Sequence, residues 1–101
     1  MLAQFTIIPL DKGMHFSAYV ARMTEIIENS GLPNKLTAMS TIVEGEWDEV
    51  MAVIKACRDE LARDSKRLSV NISIDDRVGA TGSLEGKIKS VEEKLGREVS
   101  K

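Results

Sequence analysis

One nine-residue stretch constrains the fold of this chain more than any other. From Arg67 to Asp75, the apolar residues Leu68, Val70, Ile72 and Ile74 alternate without a break with Arg67, Ser69, Asn71, Ser73 and Asp75. Successive side chains of a strand point to opposite faces, so this stretch reads as a strand with one buried face and one polar face. A strand of that kind belongs to an antiparallel sheet that is covered on one side only.

A second period-two segment opens the chain. In Leu2–Leu10, Ala3, Phe5 and Ile7 fall on one side and Gln4, Thr6 and Ile8 on the other. Pro9 lacks an N–H and is expected to end the ladder or sit at an edge. Asp11-Lys12-Gly13 reads as a turn. The pattern then changes to helical spacing, with Phe16, Tyr19, Val20, Met23, Ile26 and Ile27 forming one stripe of a helix from about His15 to Ser30. Gly31 suits the left-handed position after a helix end, and Pro33 blocks continuation. Lys35 to Ser40 and Thr41 to Glu44 read as two short strands, joined as a hairpin or as one strand bent by a bulge. A second helix is expected from about Glu46 to Arg63, with Glu46, Asp48 and Glu49 in its first turn, where the helix dipole favours negative charge. Its stripe is Val50, Val53, Ile54, Cys57 and Leu61, so Cys57 reads as a small buried hydrophobe. After the alternating strand come a glycine-containing loop at Val78–Gly82, a helix capped by Ser83 with Leu84, Ile88, Val91 and Leu95 on its stripe, a stop at Gly96 and a fraying tail.

The order strand, helix, strand, strand, helix, strand is the split β-α-β unit, so the expected fold is an α+β, ferredoxin-like βαββαβ sandwich with an extra C-terminal helix. With 101 residues the chain is expected to form one ferredoxin-like domain, residues 1–101. Only four residues are aromatic, so the core must be built from Ile, Val, Leu, Met and Ala. Both crossover helices lie on one face of such a sheet. The other face, with Gln4, Thr6, Asn71 and Ser73, is left for the last helix or for a second subunit.

Charge and composition remove several function classes. The formal net charge is -2, and division after Gly45 leaves minus one on each side, so no basic stripe points to nucleic acid. RNA recognition on a four-stranded sheet also needs strand aromatics for stacking, and Phe5, the one strand aromatic, faces the helices. No apolar run approaches the ~20 residues that span a membrane, and the N-terminus lacks the basic and long apolar regions of a secretory signal. One cysteine admits no internal disulfide, which fits a reducing compartment and a cytoplasmic location. There is no CxxC, HExxH, GxGxxG or GKS/GKT motif. One His and one Cys do not support a metal cluster or a Cys–His nucleophile, so no enzyme and no cofactor is expected.

Two segments carry candidate chemistry. Thr37-Ala38-Met39-Ser40-Thr41-Ile42-Val43-Glu44-Gly45-Glu46 places hydroxyls beside a carboxylate and ends on a glycine that permits a sharp turn or a close backbone approach by a ligand. The plainer reading is an edge strand with its Ser and Thr in solvent, followed by an acidic first turn. Ile74-Asp75-Asp76-Arg77 ends the alternating strand with Asp75 on the polar face. It reads either as a surface ion pair worth under ~1 kcal/mol or as a polar clamp at a pocket mouth.

The stretch TAMSTIVEGEWDEVM, then SVNISIDDR, then the lysine-containing LEGKIKSVEEKL, together resemble a family of small bacterial and archaeal thiamine-binding-protein-like chains. The resemblance runs from IIPL at the end of the first strand to Val91, and the T-x-x-E-G-E run and the I-D-D-R strand end carry it jointly. It implies ferredoxin-like subunits that pair through their sheets as dimers of dimers. It also implies binding of thiamine or its hydroxymethylpyrimidine half without a reaction, for sequestration or delivery. An aminopyrimidine edge can be met by hydroxyls, amides and a carboxylate, and a thiazolium cation by a buried carboxylate. The expected walls are Ile8, Met39 and Ile42. The expected polar groups are Thr6, Ser40, Thr41, Glu44, Asn71, Ser73 and Asp75. The alternative is an oligomeric ferredoxin-like interaction module with no small-molecule ligand, whose open face is filled by its partner subunit.

Overall fold

A computed structural model describes residues 1–11 and 17–77. The elements in chain order are β1 (Leu2–Pro9), α1 (Ser17–Asn29), β2 (Asn34–Leu36), β3 (Thr41–Glu44), α2 (Trp47–Leu61) and β4 (Leu68–Asp75). The strands form one antiparallel sheet in the order β2-β3-β1-β4, the ferredoxin-like arrangement expected from the pattern. The turn expected after Asp11, the helix start expected at His15 and Phe16, and the loop and last helix expected from Val78 onward lie outside the described residues.

The register explains the two faces. Ala3 pairs with Val43 and Ile74, Phe5 with Thr41 and Ile72, and Ile7 with Val70. Directly opposed residues share a face, so these side chains point together toward the helices. Ala3, Phe5, Ile7 and Val43 are buried there against Met23 and Ile27 of α1 and Val50, Val53, Ile54, Cys57 and Leu61 of α2. Gln4 pairs with Ile42 and Ser73, and Thr6 with Asn71, which places them on the open face.

Local chemistry sets the ends of the elements. α1 stops at Asn29, and Gly31 follows with φ of 76°, the left-handed conformation that glycine adopts without a Cβ penalty. α2 begins one residue later than the acidic run suggests. Glu46 is its extended N-cap, and its N–H donates to the Glu49 carboxylate at 3.2 Å. It ends at Leu61 rather than Arg63 because the chain then turns, with Ser65 N–H donating to the Leu61 carbonyl at 3.1 Å. Asp11 locks that turn to the end of β1. Its carboxylate accepts the Ser65 hydroxyl at 2.5 Å and the Lys66 N–H at 2.8 Å.

Three expectations are corrected. β2 is Asn34–Leu36, not Lys35–Ser40, because residues 37–40 form a hairpin loop. β3 is not an edge strand, since it lies between β2 and β1. The apolar side of β4 is only half buried: Val70 is 41% and Ile72 40% exposed. β4 is the outermost strand, and the helices that bury β1 beneath them do not extend fully over it.

That difference in cover sets two stability predictions. Ile54→Ala and Ile72→Ala remove the same atoms, but Ile54 is 4% exposed. Urea unfolding is expected to show a loss of about 2–5 kcal/mol for Ile54→Ala and under about half of that for Ile72→Ala. Cys57 supplies the second. Burial pushes its thiol well above the ordinary cysteine range, up to about 11. The folded state then holds the proton while the unfolded chain releases it. Stability therefore falls as pH rises from 9 toward 11, by up to about 2 kcal/mol. Cys57→Ala is expected to flatten the urea midpoint across that window.

Candidate functional site

The two ladders of β1 differ in length. Its pairing with β4 runs from Leu2↔Asp75 to Pro9↔Leu68, whereas its pairing with β3 ends at Phe5↔Thr41. The loop at the tip of the β2–β3 hairpin stands beside Thr6–Ile8 in place of further strand. Thr37 shapes that loop. Its N–H donates to the Ser40 carbonyl at 2.8 Å, and its hydroxyl accepts the N–H groups of Met39 at 3.2 Å and Ser40 at 3.0 Å. A threonine hydroxyl that takes nearby backbone donors competes with strand pairing and favours a turn. Met39 is held at the tip, 84% exposed.

Two hollows flank this tip. On the helix side, a cleft of about 290 Å³ opens between α1 and the hairpin. Phe5, Ile7, Tyr19, Val20, Met23, Leu36 and Met39 supply its apolar lining, and Thr6, Thr37, Ser40 and Thr41 bring hydroxyl groups to it. On the open face, a hollow of about 180 Å³ is lined by Gln4, Thr6, Met39, Ser40, Asn71 and Ser73, together with Phe5 and Ile72. Thr6, Met39 and Ser40 border both.

The residues singled out from sequence therefore divide into groups. Thr6, Ile8, Met39, Ser40 and Thr41 line the cleft. Asn71 and Ser73 line the open-face hollow with Thr6, Met39 and Ser40. Thr41 is not in solvent: it is 9% exposed and faces the helices opposite Phe5. Glu44 and Asp75 lie away from the hairpin tip, because both oppose Leu2 at the other end of β1. Four residues of strand separate Leu2 from Thr6, roughly 13 Å at the rise of an extended chain. Asp75 instead borders a third hollow, of about 200 Å³, with Leu2, Gln4, Ile42, Ser73 and Ile74. Ile42, the third expected wall, lies there too. The close approach at Gly45 is made by the protein itself, since a Cβ there would meet Leu32 Cδ2 at 3.2 Å and Val50 Cγ2 at 3.4 Å. Asp76 and Arg77 follow the end of β4, both exposed.

Tyr19, Val20 and Met23 enter the cleft although sequence reasoning assigned them only to a core stripe. Their i, i+1 and i+4 spacing is the same for a buried stripe and for a cleft wall. The one available signal was Tyr19 itself, whose hydroxyl suits a partly open position. Among the described residues, no group of three or more His, Cys, Asp and Glu side chains is placed to hold a metal ion. No helix among them is long and apolar enough to cross a membrane.

Residues 3–92 match the model of a family described as thiamine-binding protein. A UPF0045 protein of Mycobacterium bovis is 36% identical over 98 residues, covering 96% of each chain. A UPF0045 protein of Bacillus subtilis is 38% identical over 100 residues, covering 93% of this chain and 96% of that one. Among solved structures, a hypothetical protein of Methanocaldococcus jannaschii superposes with a TM-score of 0.83 at 32% identity, covering 91% of this chain and 95% of that one. A Thermotoga maritima protein, provisionally assigned to thiamine biosynthesis or salvage, superposes with a TM-score of 0.78 at 23% identity, covering 89% and 96%. The latter likeness is one of fold.

Because one hydroxyl organises the hairpin tip, Thr37→Val is expected to loosen it without unfolding the sheet. Amide hydrogen exchange at Met39 and Ser40 should accelerate by roughly tenfold or more, while the amides of β1 and β4 keep their protection.

Proposed function

The chain belongs to the thiamine-binding protein family, and from that premise we propose that it binds thiamine and its hydroxymethylpyrimidine half without catalysis, for sequestration or delivery. The pyrimidine is taken up in the cleft between α1 and the β2–β3 hairpin. The observation that carries this reading is the chemistry of that cleft: apolar and aromatic walls from Phe5, Tyr19, Met23 and Met39, with the hydroxyl-bearing residues Thr6, Thr37, Ser40 and Thr41 around them. Small-molecule sites have this composition, mostly apolar with a few convergent polar groups, and about 290 Å³ is near the lower end of their size range.

The absence of a carboxylate from the described lining sharpens the ligand. Burying a fixed cation without a counter-ion costs far more than burying a neutral ring whose polar edge is hydrogen-bonded. The aminopyrimidine is therefore the half that enters, with the thiazolium at the mouth or in solvent. This reading gives Glu44 and Asp75, both at the far end of β1, no part in balancing it.

The open sheet face is proposed as the surface on which subunits pair. Leu2, Ile8 and Ile42 lie on it among Gln4, Thr6, Asn71 and Ser73. Such a mixture suits assembly, with dimers of dimers as the expected state of this one-domain cytoplasmic chain. The same face supports a second reading, an oligomeric module with no small ligand.

Calorimetry and native mass spectrometry of the purified protein test both. Thiamine and hydroxymethylpyrimidine are expected to bind at micromolar levels or tighter, and with affinities close to each other. Ser40→Val and Tyr19→Ala should weaken both by roughly tenfold, whereas Glu44→Gln should leave them within about twofold. No heat from either ligand, with an assembled oligomer in the mass spectrum, would establish the second reading instead.

A further inference from the structure

The wall of the cleft is tied to a charged group on the far helix. Tyr19 lines the cleft from α1. One turn along the same helix, the Arg22 guanidinium lies over the Tyr19 ring, 5.4 Å from its centroid. Arg22 does not hang free. Its guanidinium donates to the Glu60 carbonyl at 2.8 Å, to the Glu60 carboxylate at 3.1 and 3.2 Å, and to the Asp64 carboxylate at 3.0 Å. Glu60 is in turn bonded by Arg63 at 3.2 Å. The partners of Arg22 are 38 and 42 residues away in sequence, at the C-terminal end of α2 and just beyond it.

We propose that Arg22 is a positioning residue of the ligand cleft: anchored to Glu60 and Asp64, it holds the Tyr19 ring in place as the cleft's aromatic wall. The proposal rests on the reading of the cleft as the ligand site. The geometry has three parts that fit together. The planar guanidinium presents several donors in a fixed fork, so bonds to a carbonyl and two carboxylates orient its plane as well as its position. A cation over an aromatic face restrains the ring that lies under it. A ring whose rotamer is already fixed loses less freedom when a flat ligand packs against it. By contrast, the Lys55–Asp59 pair, at 2.6 Å, lies wholly on α2 and restrains no part of the cleft.

Tyr19 is the one tyrosine in the chain, so incorporated 3-fluorotyrosine reports the ring through a single fluorine resonance. In the ligand-free protein, Arg22→Gln is expected to move and broaden that resonance. Arg22→Lys should do so less, because it keeps the charge but loses the fork. The double change Glu60→Gln with Asp64→Asn should act in the same direction while leaving Arg22 in place. Calorimetric affinity for hydroxymethylpyrimidine should fall by roughly three- to tenfold in Arg22→Gln, the scale of a cation–π contact and a charge-assisted bond acting at one remove. Lys55→Gln serves as the control and should change neither readout. The two readings fail separately. If the unaltered protein binds no pyrimidine, the site reading is lost, and the fluorine spectrum still decides whether Arg22 holds the ring. If folded Arg22→Gln and the folded Glu60/Asp64 double variant both leave the resonance and the affinity unchanged, the positioning role is overturned.

Discussion

The unequal pairing of β1 is the constraint on which the rest of the structure depends. On one edge it is paired with β4 from Leu2 to Pro9, and on the other with β3 only from Leu2 to Phe5. Had β3 paired with β1 as far as Pro9, strand would occupy the place where the hairpin loop now stands. Because β3 begins at Thr41, the hairpin loop has to stand beside Thr6–Ile8, and it approaches with a turn rather than a ladder. The cleft is the space left by four residues of strand that are missing from the sheet. The helix-facing side of β1 still closes the core beneath it, through Ala3, Phe5 and Ile7.

The fold was legible because it follows from period. The alternation of Leu68 to Ile74 and of Ala3 to Ile8 requires two strands with one shared apolar side, and the register joins them as expected, with Phe5 opposite Ile72 and Gln4 opposite Ser73. The helices were legible from their stripes, and Gly31 from the need for positive φ. The extent of cover was not. Val70 and Ile72 have the pattern of buried residues, but alternation states only which side they face. How far a helix reaches across an edge strand depends on packing between elements that are distant in sequence.

The site was half legible for the same reason. Thr6, Met39 and Ser40 come together because the hairpin tip and the second half of β1 are neighbours in any such sheet. Glu44 looked like part of the same constellation because it lies only four residues from Ser40. On a strand, four residues of sequence separation is a long distance in space, and the register carries Glu44 to the opposite end of β1, beside Leu2. Asp75 suffers the same displacement from Asn71 along β4. Proximity in sequence favours a shared site on a turn and opposes it along a strand. Thr37 shows the turn case, since its hydroxyl reaches the Met39 and Ser40 amides two and three residues away.

The position of the hairpin tip also means that the two sides of the sheet are not independent. Thr6, Met39 and Ser40 border the cleft on the helix side and the hollow on the open side. Met39 is an unbranched side chain with several soft torsions, the kind that adapts to what packs against it. Whatever covers the open face near Asn71 and Ser73 therefore meets the residues that wall the cleft. Likewise, a molecule seated in the cleft limits where the Met39 side chain can go. Arg22 makes the opposite wall stiff by bonding α1 to the end of α2. The cleft is thus asymmetric in a way that follows from bonding: one wall is an aromatic ring under an anchored guanidinium, and the other is a short turn held by a single threonine. Of the two, the turn is the wall with fewer restraints, so adjustment to a ligand of different shape falls to the hairpin and not to the helix.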